Sequence, residues 1–223
     1  MRLASLFSGG KDSTYATYLA EKRGHDVTLL FSMLPSNSES WMFHSVNIHL
    51  TRLLAKAWSK PIIEISTRGE KENELKDLQT ALANIPIDGI ISGAISSTYQ
   101  RNRLDTICST LNIQHFTPLW GNDPEKVLED EVKAGMEIIL SAVAARGLDK
   151  SWLGRRIDDI AVKELKKLSL SFGFNICGEG GEYESLVLTA PWLKGRLKIL
   201  RAEIGWDGTS GSYNVKEAVL NDN

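Results

Sequence analysis

The sequence predicts an α/β fold in which a parallel sheet with helices on both faces is followed by a smaller C-terminal α+β domain. Strand-like and helix-like segments alternate over the first 120 residues, a glycine-rich turn follows the first strand-like segment, and the alternation stops after Trp120. Repeated strand–helix units are typical of parallel sheets, because a parallel connection has to cross the sheet. We therefore expect one domain at 1–120 and a second at 121–223.

Five apolar runs, several rich in β-branched residues, predict the parallel strands. Strands that are covered on both faces are apolar throughout instead of alternating with polar residues. The expected strands are 2–7, 26–33, 61–67, 88–95 and 113–120.

Apolar residues at helical spacing predict the helices between these strands. The first follows the glycine-rich turn and stops at Gly24, a typical C-terminal residue. The expected helices are 13–24, 44–58, 72–85 and 96–112.

The segment after Trp120 predicts helices first and antiparallel strands afterwards. One long helix is expected over 124–146 and another over 156–172. Three strand-like runs follow, at 183–191, 196–206 and 211–219. An exposed last strand would leave pairing with a second chain open.

Composition narrows the class of protein. The chain has 26 Lys and Arg against 28 Asp and Glu, so no overall basic field favours nucleic acid as a partner. Its two cysteines, Cys108 and Cys177, form neither a CxxC pair nor a metal-ligand cluster, which favours a reducing compartment. No signal peptide or membrane-spanning run is apparent. We expect a cytoplasmic protein with no membrane contact.

The glycine-rich turn reads Ser8-Gly9-Gly10-Lys11-Asp12-Ser13. A Walker A loop would need a glycine where Ser5 stands and Ser or Thr where Asp12 stands. A dinucleotide fingerprint would need spaced glycines, whereas Gly9 and Gly10 are adjacent. Both of these nucleotide loops are excluded.

The physical chemistry of this turn still points to phosphate. Its glycines allow close approach of an anion, and the following helix presents free N–H groups to it. Ser8 and Ser13 add hydroxyls, and Lys11 adds a positive charge. Asp12 would repel phosphate unless a divalent cation such as Mg²⁺ bridges them, which makes Asp12 the candidate metal ligand. The alternative is an ordinary strand–helix corner with Asp12 as a cap.

Two further stretches carry candidate site residues. Small residues at Ser92-Gly93-Ala94 follow the fourth strand and allow close approach of a ribose or phosphate, with the Ser92 hydroxyl as a donor. Arg101, on the next helix, is either an anion-binding residue or an exposed helix arginine. Three glutamates, Glu179, Glu182 and Glu184, lie among glycines and repel one another unless a cation or basic partner lies between them; a solvated acidic turn is the alternative.

The turn SGGKDS resembles the PP-loop of the N-type ATP pyrophosphatases. This resemblance implies a Rossmann-like (HUP-type) sheet that binds the pyrophosphate part of ATP through Ser8, Gly9, Gly10, Lys11, Asp12 and Ser13. It also implies that a carboxyl or carbonyl oxygen is activated as an adenylate, which a nitrogen or sulfur nucleophile then attacks.

A narrower resemblance rests on four stretches: ESWMFH (39–44), SGAISS with the following YQR (92–101), PLW (118–120) and CGEGGEYE (177–184). With these the chain resembles the diphthine–ammonia ligase family over almost its whole length. Trp41 and Ser185 are mild departures, since Tyr or Leu is more usual at 41 and Thr at 185.

The family resemblance implies a substrate and a set of site residues. The substrate would be diphthine on translation elongation factor 2, the nitrogen source free ammonium, and the cofactors ATP and Mg²⁺. Lys11, Asp12 and the three glutamates would be catalytic, and Ser92, Gly93 and Ala94 would contact ATP. The implied substrate-binding residues are His44, Tyr99, Arg101, Gly180, Gly181 and Tyr183.

Two other functions remain as alternatives. A tRNA-modifying PP-loop enzyme would favour a basic, aromatic extension or, for thiolation, a cysteine pair, and the sequence has neither. A non-catalytic nucleotide-binding module would not need Lys11 and Asp12 together with three loop glutamates.

Overall fold

A parallel sheet forms the first half of the molecule, as predicted. The computed structural model describes residues 1–35, 46–67 and 71–221. The strands are β1 (Arg2–Leu6), β2 (Asp26–Pro35), β3 (Ile62–Thr67), β4 (Gly89–Ile91) and β5 (Gln114–Phe116). Their order is β3-β2-β1-β4-β5, and each neighbouring pair is parallel. The order reverses beside β1, where ligands of such sheets bind beyond the carboxyl ends of the strands.

Helices cover both faces of this sheet. They are α1 (Lys11–Lys22), α2 (Thr51–Trp58), α3 (Lys71–Leu82) and α4 (Thr98–Leu111). Because successive strand residues point to opposite faces, Leu3 belongs to one buried cluster with α1 and α2, and Ala4 to another with α3 and α4. Within the described ranges, no helix has the length and apolar character needed to cross a membrane.

The second half contains two helices and an antiparallel sheet, which confirms the predicted α+β character. In chain order the elements are α5 (Pro124–Lys133), β6 (Glu137–Val143), α6 (Asp159–Phe172), β7 (Tyr183–Thr189), β8 (Arg196–Trp206) and β9 (Gly211–Asn221). The strand order is β7-β6-β9-β8. The division at residue 120 stays a prediction.

The predicted long helix over 124–146 is wrong. Helix α5 ends at Lys133, Gly135 takes a left-handed φ of 84°, and β6 begins at Glu137. Residues 138–141 are all buried and residues 138–140 pair with β7, so tertiary pairing overrides the helical composition of this apolar run.

The two halves share a continuous core. One buried cluster joins Leu3 of β1 and Leu54 of α2 to Leu128 of α5 and Leu186 of β7. Its rim includes the rings of Tyr18 and Trp192, stacked with centroids 3.8 Å apart. The carboxyl ends of the parallel strands are therefore held against the antiparallel sheet.

Candidate active site

The glycine-rich turn forms a compact loop between β1 and α1. Gly9 has a φ of 76°, and a Cβ there would lie 2.9 Å from Leu54 Cδ1. The Ser8 and Ser13 hydroxyls are 3.1 Å apart, and Ser13 Oγ donates to the Gly10 carbonyl at 3.1 Å. These contacts set the loop at the start of the helix, as the sequence predicts.

Strand β7 is bonded directly to this loop. The Val187 N–H donates to the Gly9 carbonyl at 2.9 Å, and the Lys11 N–H donates to Ser185 Oγ at 3.1 Å. A segment 174 residues away in sequence therefore supports the glycine-rich turn.

A cavity of about 710 Å³ lies where these segments meet. Its lining comes from the glycine-rich turn, the turn after β4, the start of α4 and the glutamate loop: among the predicted residues these are Ser8, Gly10, Asp12, Ser13, Ser92, Gly93, Ala94, Tyr99, Glu179, Gly180, Gly181, Tyr183 and Glu184. The three separate stretches singled out in the sequence thus enclose one space. Its size suits a nucleotide-sized ligand.

The turn after β4 packs against the start of α1. A Cβ on Gly93 would lie 2.7 Å from the Asp12 carbonyl carbon and 2.8 Å from the Ser13 nitrogen, so only glycine allows this approach. The neighbouring Ser92 and Ala94 are buried and line the cavity.

Glu179 joins the glutamate loop to the turn after β4. Its carboxylate accepts from the backbone N–H of Ile95 at 2.7 Å, of Ser96 at 2.8 Å and of Ser97 at 3.1 Å. The Ser96 hydroxyl also donates to it. Charge-assisted bonds of this kind are the strong ones, so Glu179 holds one side of the cavity closed.

The other two glutamates differ in their surroundings. Glu182 accepts from Asn175 N–H at 2.9 Å and from Gly180 N–H at 2.7 Å, which shapes its own loop. Glu184 lies on β7 next to Ser185 and lines the cavity. Of the three, Glu184 is the one placed on a strand of the cavity wall.

The side chains of Lys11 and Asp12 differ in where they lie: that of Asp12 borders the cavity, and that of Lys11 is buried. Asp12 lines the cavity and its side chain is 30% exposed. The Lys11 ammonium is buried, 2.5 Å from Asp12 Oδ1 and 3.6 Å from Glu131 Oε2 of α5. Burial alone would lower the pKa of Lys11, but the neighbouring carboxylates, Asp12 foremost, raise it well above its usual value.

Glu131 lies beside Lys11, outside the cavity lining, and the sequence analysis did not single it out. It is fully buried, and neither of its carboxylate oxygens makes a hydrogen bond within the described part of the chain. Burial is the main reason that its pKa is raised well above the usual value. Its position on α5 at helical spacing from Leu128 hid it, because a mid-helix Glu usually faces solvent.

The predicted substrate-binding residues are only partly brought together. Tyr183 lies under the Lys11 ammonium, 5.9 Å from ring centroid to Nζ, and its hydroxyl donates to the Ile176 carbonyl at 2.7 Å. Arg101 is not among the cavity-lining residues; its guanidinium lies over the Trp120 ring at 4.4 Å. His44 and the rest of 39–44 lie outside the described residues.

A magnesium ion in this cavity would have to be held mainly by phosphate. No group of three or more His, Cys, Asp or Glu side chains in the described ranges is arranged to hold a metal ion. Mg²⁺ is commonly bound through one or two carboxylates together with substrate phosphates. Asp12, which lines the cavity, would be one such carboxylate.

Two family models match this chain: diphthamide synthase N-terminal domain over residues 1–115, and diphthamide synthase C-terminal domain over residues 123–220. The Bos taurus protein named diphthine–ammonia ligase is 32% identical over 227 residues, covering 92% of this chain and 85% of that protein. The Schizosaccharomyces pombe protein of the same name is 34% identical over 224 residues, covering 92% of this chain and 37% of that protein.

Among solved structures, a predicted subunit of tRNA methyltransferase from Methanocaldococcus jannaschii is 17% identical, with a TM-score of 0.48 over 86% of this chain and 98% of that one. The two family models together span nearly all of the sequence, and only residues 116–122 lie between the two matches. The chain belongs to the diphthamide synthase family, a family of diphthine–ammonia ligases.

Proposed function

We propose that this chain is an ATP-dependent amide ligase that converts diphthine on translation elongation factor 2 to diphthamide, with ammonium as the nitrogen source. The observation that carries the proposal is the shared cavity. A phosphate-binding turn and a glutamate-rich loop, far apart in sequence, line the same space. The names of the relatives supply the substrate class.

ATP would bind with its phosphates at the loop between β1 and α1. Ser8, Gly10 and Ser13 line the cavity at this end, and the amino terminus of α1 favours negative charge there. Ser92, Gly93 and Ala94 would contact the rest of the nucleotide. Lys11, which does not line the cavity, would act on the reaction by pairing with the Asp12 carboxylate and holding it in place.

The reaction would run in two steps at this cavity. A carboxylate oxygen of diphthine attacks the α-phosphorus of ATP, forming an acyl-adenylate and releasing pyrophosphate. The nitrogen of ammonia then attacks the acyl carbon, AMP leaves, and a proton is lost from nitrogen. Charge that develops on the departing pyrophosphate is stabilised by fixed dipoles and cations in such a site.

Glu184 is the proposed base or ammonium-binding group of this second step. It lines the cavity on β7, next to the residue that supports the phosphate loop. Glu179 and Glu182 would act on the reaction by holding the shape of the cavity, because their carboxylates accept from backbone N–H groups.

The test is a reaction with purified elongation factor 2 that carries diphthine, together with ATP, Mg²⁺ and ammonium. We expect AMP release and the mass change from carboxylate to amide, both dependent on ammonium for turnover. Asp12→Asn should lower the rate by two orders of magnitude or more, as loss of a group that stabilises the transition state does. Asp130→Asn, at a partly exposed carboxylate of α5, serves as the matched control.

The proposal fails if the wild type binds ATP but forms neither AMP nor amide with this substrate. It also fails if Asp12→Asn turns over as fast as Asp130→Asn. Thermal melting of each variant checks that a lost rate does not reflect unfolding.

A further inference from the structure

A chain of hydrogen bonds runs from the cavity wall to the surface through Ser92, His115 and Asp105. Ser92 Oγ is 2.8 Å from His115 Nε2, and His115 Nδ1 is 2.7 Å from Asp105 Oδ1. Ser92 and the His115 side chain are almost fully buried, while Asp105 on α4 is about half exposed. Nothing in the proposed reaction has yet used His115 or Asp105.

The direction of the hydrogen bonds follows from the chemistry of the three groups. An ionised carboxylate only accepts, so His115 Nδ1 carries the proton in its bond to Asp105. In a neutral imidazole the other nitrogen is then an acceptor, and Ser92 must donate to it. Burial lowers the pKa of His115, although its hydrogen bond to Asp105 acts in the opposite direction. The lowered pKa favours the neutral ring at neutral pH.

This direction determines what Ser92 can offer to a ligand. A serine hydroxyl has one proton and two lone pairs, and the proton is committed to His115. What remains for the cavity is an acceptor. Phosphate oxygens, which also only accept at neutral pH, are therefore poor partners for Ser92, contrary to the expectation that its hydroxyl donates to them.

The same geometry occurs at nucleophilic serines, but the surroundings argue against that role here. A nucleophilic serine needs N–H donors for the oxyanion that forms on attack. Three backbone donors of this turn, those of Ile95, Ser96 and Ser97, are already bonded to Glu179.

We propose that Ser92 is a specificity-determining hydrogen-bond acceptor for a donor group of the nucleotide, a ribose hydroxyl or the adenine amino group, and that His115 and Asp105 are its positioning residues. This inference rests on the proposed binding of ATP. Gly93 packs against the backbone of Asp12 and Ser13 at the start of α1. Ser92 is the residue before Gly93, so a nucleotide with its phosphates at the glycine-rich turn can reach it.

The test is direct binding by calorimetry of ATP and three analogues to the full chain. The first analogue, 2′-deoxy-ATP, lacks the 2′-hydroxyl of the ribose, and the second, cordycepin triphosphate, lacks the 3′-hydroxyl. The third, purine riboside triphosphate, lacks the adenine amino group. We expect the wild type to bind one analogue about three- to tenfold more weakly than ATP, the range of one neutral hydrogen bond. The analogue that is affected identifies the donor.

Variants then separate the acceptor from its positioning residues. Ser92→Ala should bind ATP and that analogue equally, and His115→Leu should reduce the discrimination because the serine proton is no longer committed. Asp105→Asn, at a half-exposed position, should also reduce the discrimination, and it leaves the buried His115 ring in place. Ser141→Ala, at a buried serine of β6 outside the cavity lining, should keep the wild-type ratio.

The possible results are distinguishable. ATP binding without discrimination among the analogues overturns this inference alone, whereas absence of ATP binding overturns the proposed function as well. Covalent labelling of Ser92 by a fluorophosphonate in the wild type, lost in His115→Leu, would replace the acceptor role with a nucleophilic one.

Discussion

At the residue scale, two neighbouring residues of the glycine-rich turn, Lys11 and Asp12, lie in different surroundings. Asp12 lines the cavity, whereas the Lys11 ammonium lies between Asp12 and the fully buried Glu131. A buried ion pair contributes little net stability, but removing one partner leaves an uncompensated charge. Lys11 therefore matters for folding as well as for any effect on phosphate.

We expect Lys11→Met to lower the free energy of unfolding by about 3–5 kcal/mol in urea denaturation, because two carboxylates lose their shared cation. Glu131→Gln in the same chain should recover part of the loss. Lys166→Met is the matched control, since Lys166 pairs with Glu125 at a half-exposed site and its loss should change the unfolding midpoint little. Equal losses for the two lysines would contradict the structural role of Lys11.

His115 predicts a pH dependence of stability. Its pKa is lowered in the folded state by burial, with Arg101 acting in the same direction and Asp105 opposing. The unfolded chain then binds more protons just below the unfolded pKa of about 6.5, so folded-state stability falls as pH drops through that region. We expect the difference in melting temperature between neutral and mildly acidic buffer to shrink in His115→Gln. An unchanged difference would rule out His115 as a source.

The sequence predicts which residues line the cavity better than it predicts the contacts that each of them makes. Spacing and residue type singled out SGGKDS and the glutamate loop, because a lysine and an aspartate in a glycine-rich turn and three clustered glutamates are unusual in a packed core. The partners of Glu179 and the burial of Glu131 depend on which backbone N–H groups and helices approach in three dimensions. No local pattern carries that information.

At the element scale, the division of the predicted helix 124–146 into α5 and β6 rests on Gly135. Its φ of 84° ends the helix, and a Cβ would lie 2.9 Å from Pro191 Cγ. The other helices and strands follow from local periodicity. β6 does not, because a buried strand and a buried helix share the same apolar composition and only pairing with β7 decides between them.

Gly135→Ala should therefore lower the free energy of unfolding by more than the left-handed φ alone accounts for, because the new Cβ would also crowd Pro191. Gly173 ends α6 with a φ of 75°, and a Cβ at this position would meet nothing within 4 Å, so Gly173→Ala reports the conformational cost, about 1–2 kcal/mol. We expect the additional loss in Gly135→Ala to show in urea denaturation. Equal losses would mean that Pro191 yields without cost.

At the scale of the whole molecule, the continuous core predicts that the two halves unfold together. One buried cluster runs from β1 through α2 and α5 to β7, so neither half can lose its structure without exposing the other's apolar surface. We expect tryptophan fluorescence and far-ultraviolet circular dichroism to give one coincident urea transition. Two separate transitions would show that the parallel sheet folds on its own.

The bond from Val187 to Gly9 has a consequence for how the protein is made. A ribosome that has released only the parallel sheet has synthesised the glycine-rich turn, but neither the strand that supports it nor the glutamate loop that lines the cavity with it. The nascent chain can complete the cavity only when residues 179–187 have emerged. A nonsense codon after α6 would remove that site even though every residue of the amino-terminal motif is still translated.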